Sequence, residues 1–299
     1  MKKTLSLMLA MAMVFALVLV VAPAAEAATP CEHSSHDGWT AWSTTENPIQ
    51  ALDADSNGLV GGKYYLTEDV TVTDRIMVKA DDEVTICLNG HKLTVNPTGA
   101  SSGDPTALGC FDPKSGTDSN YTKLNICDCS ATKSGIVERT TMPAAGRFGA
   151  MALARKNVEI NIYGGTWKLT VENKASSPSL IQTNNKTAIV NIYEDAKFEQ
   201  VNGMTVKITG TLNVYGVAAD MTVMPSGADF KVFVDKAEQT TYVKDQTYTV
   251  KAFAPTPAPA PGGSTNPGTG DSANLVVMGL GLVLGVAGMA CLLPKKQTV

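Results

Sequence analysis

Thiols and imidazoles are the first side chains in this 299-residue chain whose types and spacing invite chemistry. Cysteines stand at 31, 87, 110, 127, 129 and 291, and histidines at 33, 36 and 91. Cys31, His33 and His36 lie close enough together to suggest a transition-metal site. A tetrahedral site takes four ligands at suitable spacing, however, and the only other histidine is His91. No metal and no cofactor are expected. Asp53-Ala54-Asp55-Ser56-Asn57-Gly58 begins like a calcium loop, whose twelfth position should be a bidentate glutamate. Here that position is Tyr64, and the run reads as a polar turn. Glycoside cleavage needs two carboxyls at a controlled separation, and no such pair is recognisable. Serine-nucleophile, zinc-helix and phosphate-loop motifs are missing, so enzyme activity is not expected.

A short strand phrase must position these residues. It recurs five times, as Val84-Thr85-Ile86-Cys87, Leu124-Asn125-Ile126-Cys127, Ile160-Asn161-Ile162-Tyr163, Val190-Asn191-Ile192-Tyr193 and Leu212-Asn213-Val214-Tyr215. Side chains alternate across a strand. One face therefore carries Val, Leu and Ile, and the other carries Thr85, Asn125, Asn161, Asn191 and Asn213, followed by two Cys and three Tyr. Successive copies start 40, 36, 30 and 22 residues apart. Such spacing with a fixed strand signature predicts a solenoid, each coil adding one strand to a parallel sheet. Three apolar runs per coil, such as Ile136-Val137, Met151-Ala152-Leu153 and Val158 to Tyr163, fit an all-β parallel β-helix, which the crossover rule makes right-handed.

This places the β-helix at 63–253. Residues 28–62 read as an irregular N-terminal cap in which Trp39 and Trp42 cover the open end of the first coil. Residues 96–121, rich in Gly, Ser, Asp and Pro, read as a long surface loop. Met221 to Met224, Phe230 to Val234 and Tyr248 to Phe253 read as a terminal coil or cap.

Two readings attach to the polar face. Cys87 and Cys127 hold the same place in successive phrases, so their strands should lie about 4.8 Å apart, inside the Cα separation a disulfide needs. Cys129 is the alternative partner, and thiols left reduced would act as small apolar residues. Tyr163, Tyr193 and Tyr215 could stack sugar rings while Asn161, Asn191 and Asn213 bond their hydroxyls. Identical residues in adjacent coils could equally stack on one another and stabilise the ladder.

The net charge of −4 argues against nucleic-acid binding, which needs a basic excess. Lys2 and Lys3, an apolar run from Leu5 to Ala22 and the small-x-small site Ala25-Glu26-Ala27 make residues 1–27 a secretory signal peptide. Alternate prolines make 254–265 an extended spacer. Residues 266–299 contain Asn266-Pro267-Gly268-Thr269-Gly270, then a 19-residue apolar run from Leu275 to Leu293, then Lys295 and Lys296. The run is long enough to span a bilayer, and the lysines fit retention on the cytoplasmic side. The segment kept after processing, 28–269, holds 20 basic against 26 acidic side chains, a net of −6.

The order of motif, span and basic tail resembles the cell-wall sorting signal of Gram-positive surface proteins, with Asn266 where the common motif has Leu. The resemblance implies that a sortase cysteine attacks the Thr269 carbonyl, cuts Thr269–Gly270 and joins Thr269 to peptidoglycan, after a transient membrane span. Residues 60–250, with Cys87-Leu88-Asn89-Gly90-His91, resemble the pectate-lyase-like right-handed β-helix segments of bacterial surface proteins. The expectation is a secreted protein attached covalently to the cell wall, displaying a β-helix face as an adhesin or glycan-binding protein toward host or neighbouring surfaces. The alternative is a polysaccharide lyase or glycoside hydrolase of the pectate-lyase-like type.

Overall fold

The computed structural model describes residues 33, 35–48, 58–97, 106–113, 120–142, 150–172 and 178–253. Cys31, the Asp53–Asn57 run and the segments read as signal peptide (1–27), spacer (254–265) and sorting signal (266–299) lie outside the described residues. Among those described there is no α-helix, and no helix long and apolar enough to cross a membrane.

Short alternating apolar runs make strands throughout. In chain order these are β1 (Thr40–Trp42), β2 (Gly62–Leu66), β3 (Val70–Val72), β4 (Ile76–Val78), β5 (Glu83–Cys87), β6 (Lys92–Val95) and β7 (Leu108–Cys110). They continue as β8 (Thr122–Cys127), β9 (Ile136–Arg139), β10 (Ala152–Ala154), β11 (Val158–Leu169), β12 (Ser179–Thr183) and β13 (Ile189–Gln200). The last are β14 (Met204–Ile208), β15 (Thr211–Tyr215), β16 (Met221–Pro225), β17 (Lys231–Val234), β18 (Ala237–Glu238) and β19 (Tyr248–Val250).

These strands form one 12-stranded and one 7-stranded sheet. In the larger sheet β1, β2, β5, β8, β11, β13, β15 and β17 are successive parallel neighbours. The smaller sheet stacks β4, β7, β10, β12, β14 and β16 in the same way. A third parallel row, β3–β6–β9, joins the larger sheet through β11. Each pass of the chain thus lays a strand on the strand of the pass before, an order compatible with a β-solenoid. The chain turns between the first and third rows in the early passes, giving three strands per pass. β11 and β13, 12 residues each, run through both rows instead.

β11 bends at a glycine pair. The register of β11 against β13 shifts between Ile162 and Gly164. Gly165 has φ +83°, and a Cβ there would lie 2.5 Å from Leu88 Cδ1, so the bend admits only glycine.

The five phrases fall into register. Ile86, Ile126, Ile162, Ile192 and Val214 are paired in sequence, as are Val84, Leu124, Ile160, Val190 and Leu212, and all are fully buried. Burying each such side chain contributes about 1.5–3 kcal/mol. Two columns of branched aliphatics at strand spacing therefore form a core that every coil extends.

Asp128, fully buried just after β8, fixes the turn into β9. Its Oδ1 accepts from Gly90 N (2.9 Å) and Ser130 N (3.1 Å), and its Oδ2 from Gly135 N (2.6 Å). Orphaning the buried Gly135 amide would alone cost about 1–3 kcal/mol.

The N-terminal segment and the stretch read as a long loop differ from expectation. The N-terminal segment contributes a strand, β1, that pairs in parallel with β2. Trp42 is fully buried in the core there, while Trp39 leaves the core and stacks on His33, ring centroids 4.4 Å apart. The stretch read as a long loop contains β7. At the other end β18 and β19 pair antiparallel with β17 and β16, which closes the stack against further parallel addition.

Candidate functional site

The larger sheet's other face carries the residues singled out in the sequence. Thr85, Asn125, Asn161, Asn191 and Asn213 are register partners coil upon coil. Their side chains form a continuous ladder. Asn125 Nδ2 donates to Thr85 Oγ1 (3.2 Å), Asn161 Nδ2 to Asn125 Oδ1 (2.8 Å), Asn191 Nδ2 to Asn161 Oδ1 (2.6 Å) and Asn213 Nδ2 to Asn191 Oδ1 (2.7 Å). Two carboxylates from the neighbouring column support it: Glu83 Oε1 accepts from Asn125 and Glu159 Oε1 from Asn191. Alternation places both glutamates on the same face as the amides, two residues before the Thr or Asn of their own coil, but they fall outside the repeated four-residue phrase. Alternation alone predicts solvent exposure for the ladder, yet Asn125 and Asn161 are 1% and 3% exposed. Amides bonded lengthwise exclude water from one another.

Next to the amides runs the aromatic column. Tyr163 stacks on Tyr193 (4.4 Å between centroids, 26° between planes) and Tyr193 on Tyr215 (4.8 Å, 23°). The central ring therefore has a tyrosine on each face, and all three side chains are half-buried. Burial, with the neighbouring Tyr193 second, raises the Tyr163 hydroxyl above the usual phenol range. Burial also raises Tyr193. The structure thus brings Asn161, Tyr163, Asn191, Tyr193, Asn213 and Tyr215 onto one face. It presents the edges of stacked rings over a self-bonded amide ladder.

The same column continues past Tyr163 into Cys127, Cys87 and Tyr65. Cys87 pairs with Cys127 in register and with Tyr65 on the other side. Cys87 and Cys127 are both fully buried. Cys129, two residues beyond β8, brings its Sγ to 3.1 Å from Cys87 Sγ, longer than the roughly 2.05 Å of a disulfide bond. Both suggested partners of Cys87 are therefore adjacent to it. A hydrogen bond from Cys127, followed by smaller ones from His36 and Cys129, holds the Cys87 thiol well below its usual range against the opposing effect of burial. Cys110 is remote from this group in the smaller sheet, and burial pushes its thiol well up.

The N-terminal segment lies over these thiols. His36 stacks on Tyr65 (4.2 Å, 11°) and places Nε2 3.4 Å from Cys129 Sγ. His33 Nε2 lies 3.1 Å from His36 Nε2. One ligand atom from each of His33, His36, Cys87 and Cys129 falls within 4.8 Å of all the others. This group was out of reach of sequence reading, which sought the remaining ligands among nearby residues and histidines. They arrive as cysteines from two coils. His91 stands apart, its Nδ1 3.8 Å from Asp69 Oδ1 at the surface. No family model, no curated protein and no solved structure matches the chain.

Proposed function

We propose that the chain is a secreted, right-handed parallel β-helix joined to the Gram-positive cell wall, displaying the ring edges of Tyr163, Tyr193 and Tyr215, set over the buried amide ladder, as an adhesin surface for glycans of host or neighbouring cells. The observation that carries this reading is the order of four parts: export signal, parallel-stranded scaffold, proline spacer and sorting signal. An adhesin requires those four and no catalytic group. Right-handedness follows from the near-universal sense of parallel crossovers. Sortase and peptidoglycan are its partners in assembly, with Thr269 the residue joined to the wall.

Replacing Thr269 with Ala tests the anchoring. The variant should be exported but released without muramidase, and wild-type behaviour would refute sortase attachment. For the ligand, residues 28–269 are applied to a glycan array. Binding that falls about tenfold or more, roughly 1.4 kcal/mol, in Tyr215→Ala supports the displayed face. Cleavage of acidic polysaccharides by the wild-type protein would point to the lyase alternative.

A further inference from the structure

The His–Cys group beside the tyrosine column has no part in surface display. We propose that His33, His36, Cys87 and Cys129 bind one zinc-class ion in a closed tetrahedral site that fastens the N-terminal segment to the side of the solenoid.

Metal–nitrogen bonds of about 2.0–2.1 Å and metal–sulfur bonds of about 2.3 Å place tetrahedral ligand atoms roughly 3.3–3.8 Å apart. Here the nitrogens are 3.1 Å apart, His36 Nε2 and Cys129 Sγ 3.4 Å, and the sulfurs 3.1 Å. No pair of the four exceeds 4.8 Å. The group is therefore close to the edge lengths of a coordination shell: the sulfurs need to part by roughly 0.7 Å and the widest nitrogen–sulfur pair to close by no more than about 1.3 Å.

Two imidazoles and two thiols suit a borderline-soft ion such as zinc, and not calcium or magnesium, which take oxygen ligands. Each cysteine gives its proton to solvent on binding. Two thiolates then balance the double charge of the ion while both imidazoles stay neutral. Four protein ligands leave no position for a water, so the site is structural and not hydrolytic.

His36 is held flat against Tyr65 and His33 against Trp39, and the turn between the histidines and β1 is closed by Trp39 N donating to His36 O (3.0 Å). Rings fixed by neighbours are what a metal site needs from its surroundings. The ligands come from the segment before β1, from the end of β5 and from beyond β8. Filling the site ties the segment before β1 to two coils, with His36 and Cys129 separated by 93 positions in sequence.

The test uses the exported chain purified without chelator or added metal. Elemental analysis should find about one zinc per chain, as a closed site predicts. Cobalt(II) exchanged into the site should show intense visible bands of tetrahedral geometry and a thiolate-to-cobalt charge-transfer band. Cys129→Ser should lower the charge-transfer band by about half, as loss of one of two thiolates requires. His36→Ala should collapse the visible bands, and His91→Ala should leave the spectrum intact. Where a variant does not fold, protection of Cys87 and Cys129 from alkylation by zinc in the wild-type protein decides. The proposal is overturned if reduced wild-type protein binds neither zinc nor cobalt, or if the exported chain carries Cys87 in a disulfide. It is also overturned if Cys127→Ser, in place of Cys129→Ser, halves the charge-transfer band.

Discussion

Asn191 donates its side-chain amide to Asn161 Oδ1 at 2.6 Å, and Asn161 passes the same bond on to Asn125 at 2.8 Å. A residue in the middle of this ladder is at once donor to one coil and acceptor from the next. Asn161→Ala should therefore orphan two buried groups, the Asn191 amide N–H and the Asn125 carbonyl, at about 1–3 kcal/mol each. Asn213, half-buried and last in the ladder, accepts from no further asparagine in the column, so Asn213→Ala orphans only the Asn191 carbonyl and should cost about half as much, roughly 1–3 kcal/mol. Urea denaturation of the two variants compares them. Equal losses would mean that the ladder contributes no more than its surface contacts.

The C-terminal closure should respond to acid through Asp220. Its carboxylate accepts from Lys251 Nζ at 2.7 Å and from Ala252 N at 2.8 Å. These bonds, the one from Lys251 foremost, hold its pKa below the usual value. A depressed carboxyl stabilises the folded state fully above its unfolded pKa, and that contribution is lost as pH falls through the folded one. The clasp on the chain after β19 should thus persist until the pH drops below the ordinary carboxylate range. Carbon-13 titration of the carboxyl should give a midpoint under about 3.9, the unperturbed value, and Lys251→Ala should move it upward. A midpoint that Lys251→Ala leaves in place would show that the ion pair does not form in solution.

The columns of the fold were legible because a two-residue period repeats its own evidence. Ile126 predicts Ile162, and the pairing of one with the other follows. The bend at Gly164 and Gly165 left little trace, since the glycines mark a conformation without saying which two rows the strand joins. The amide ladder was legible as a column but not as a buried one: exposure depends on whether neighbouring polar groups bond to each other or to water, and alternation is silent on that choice. The His–Cys group was the least legible. Cys129 falls outside the repeated phrase, and His33 and His36 precede the first strand, so only the lateral placement of β1 on β2 brings them together.

The two-residue period makes a sharp contrast at adjacent positions. Ile162 sits between Ile126 and Ile192 in its column and is fully enclosed. Ile162→Ala removes three carbons that neighbours above and below cannot replace, because those neighbours are fixed by their own backbone pairing. The loss should be about 2–5 kcal/mol, transfer and cavity together. Tyr163 lies on the other face, half-buried, with one ring surface against Tyr193. Tyr163→Ala gives up a stacking contact worth about 0.5–1.5 kcal/mol and part of a ring's burial, while the backbone ladder on either side stays paired. Thermal melts of the two variants should therefore rank Ile162→Ala as the more damaging by a clear margin. The opposite order would mean that the outer aromatic column, and not the inner aliphatic one, holds adjacent coils together.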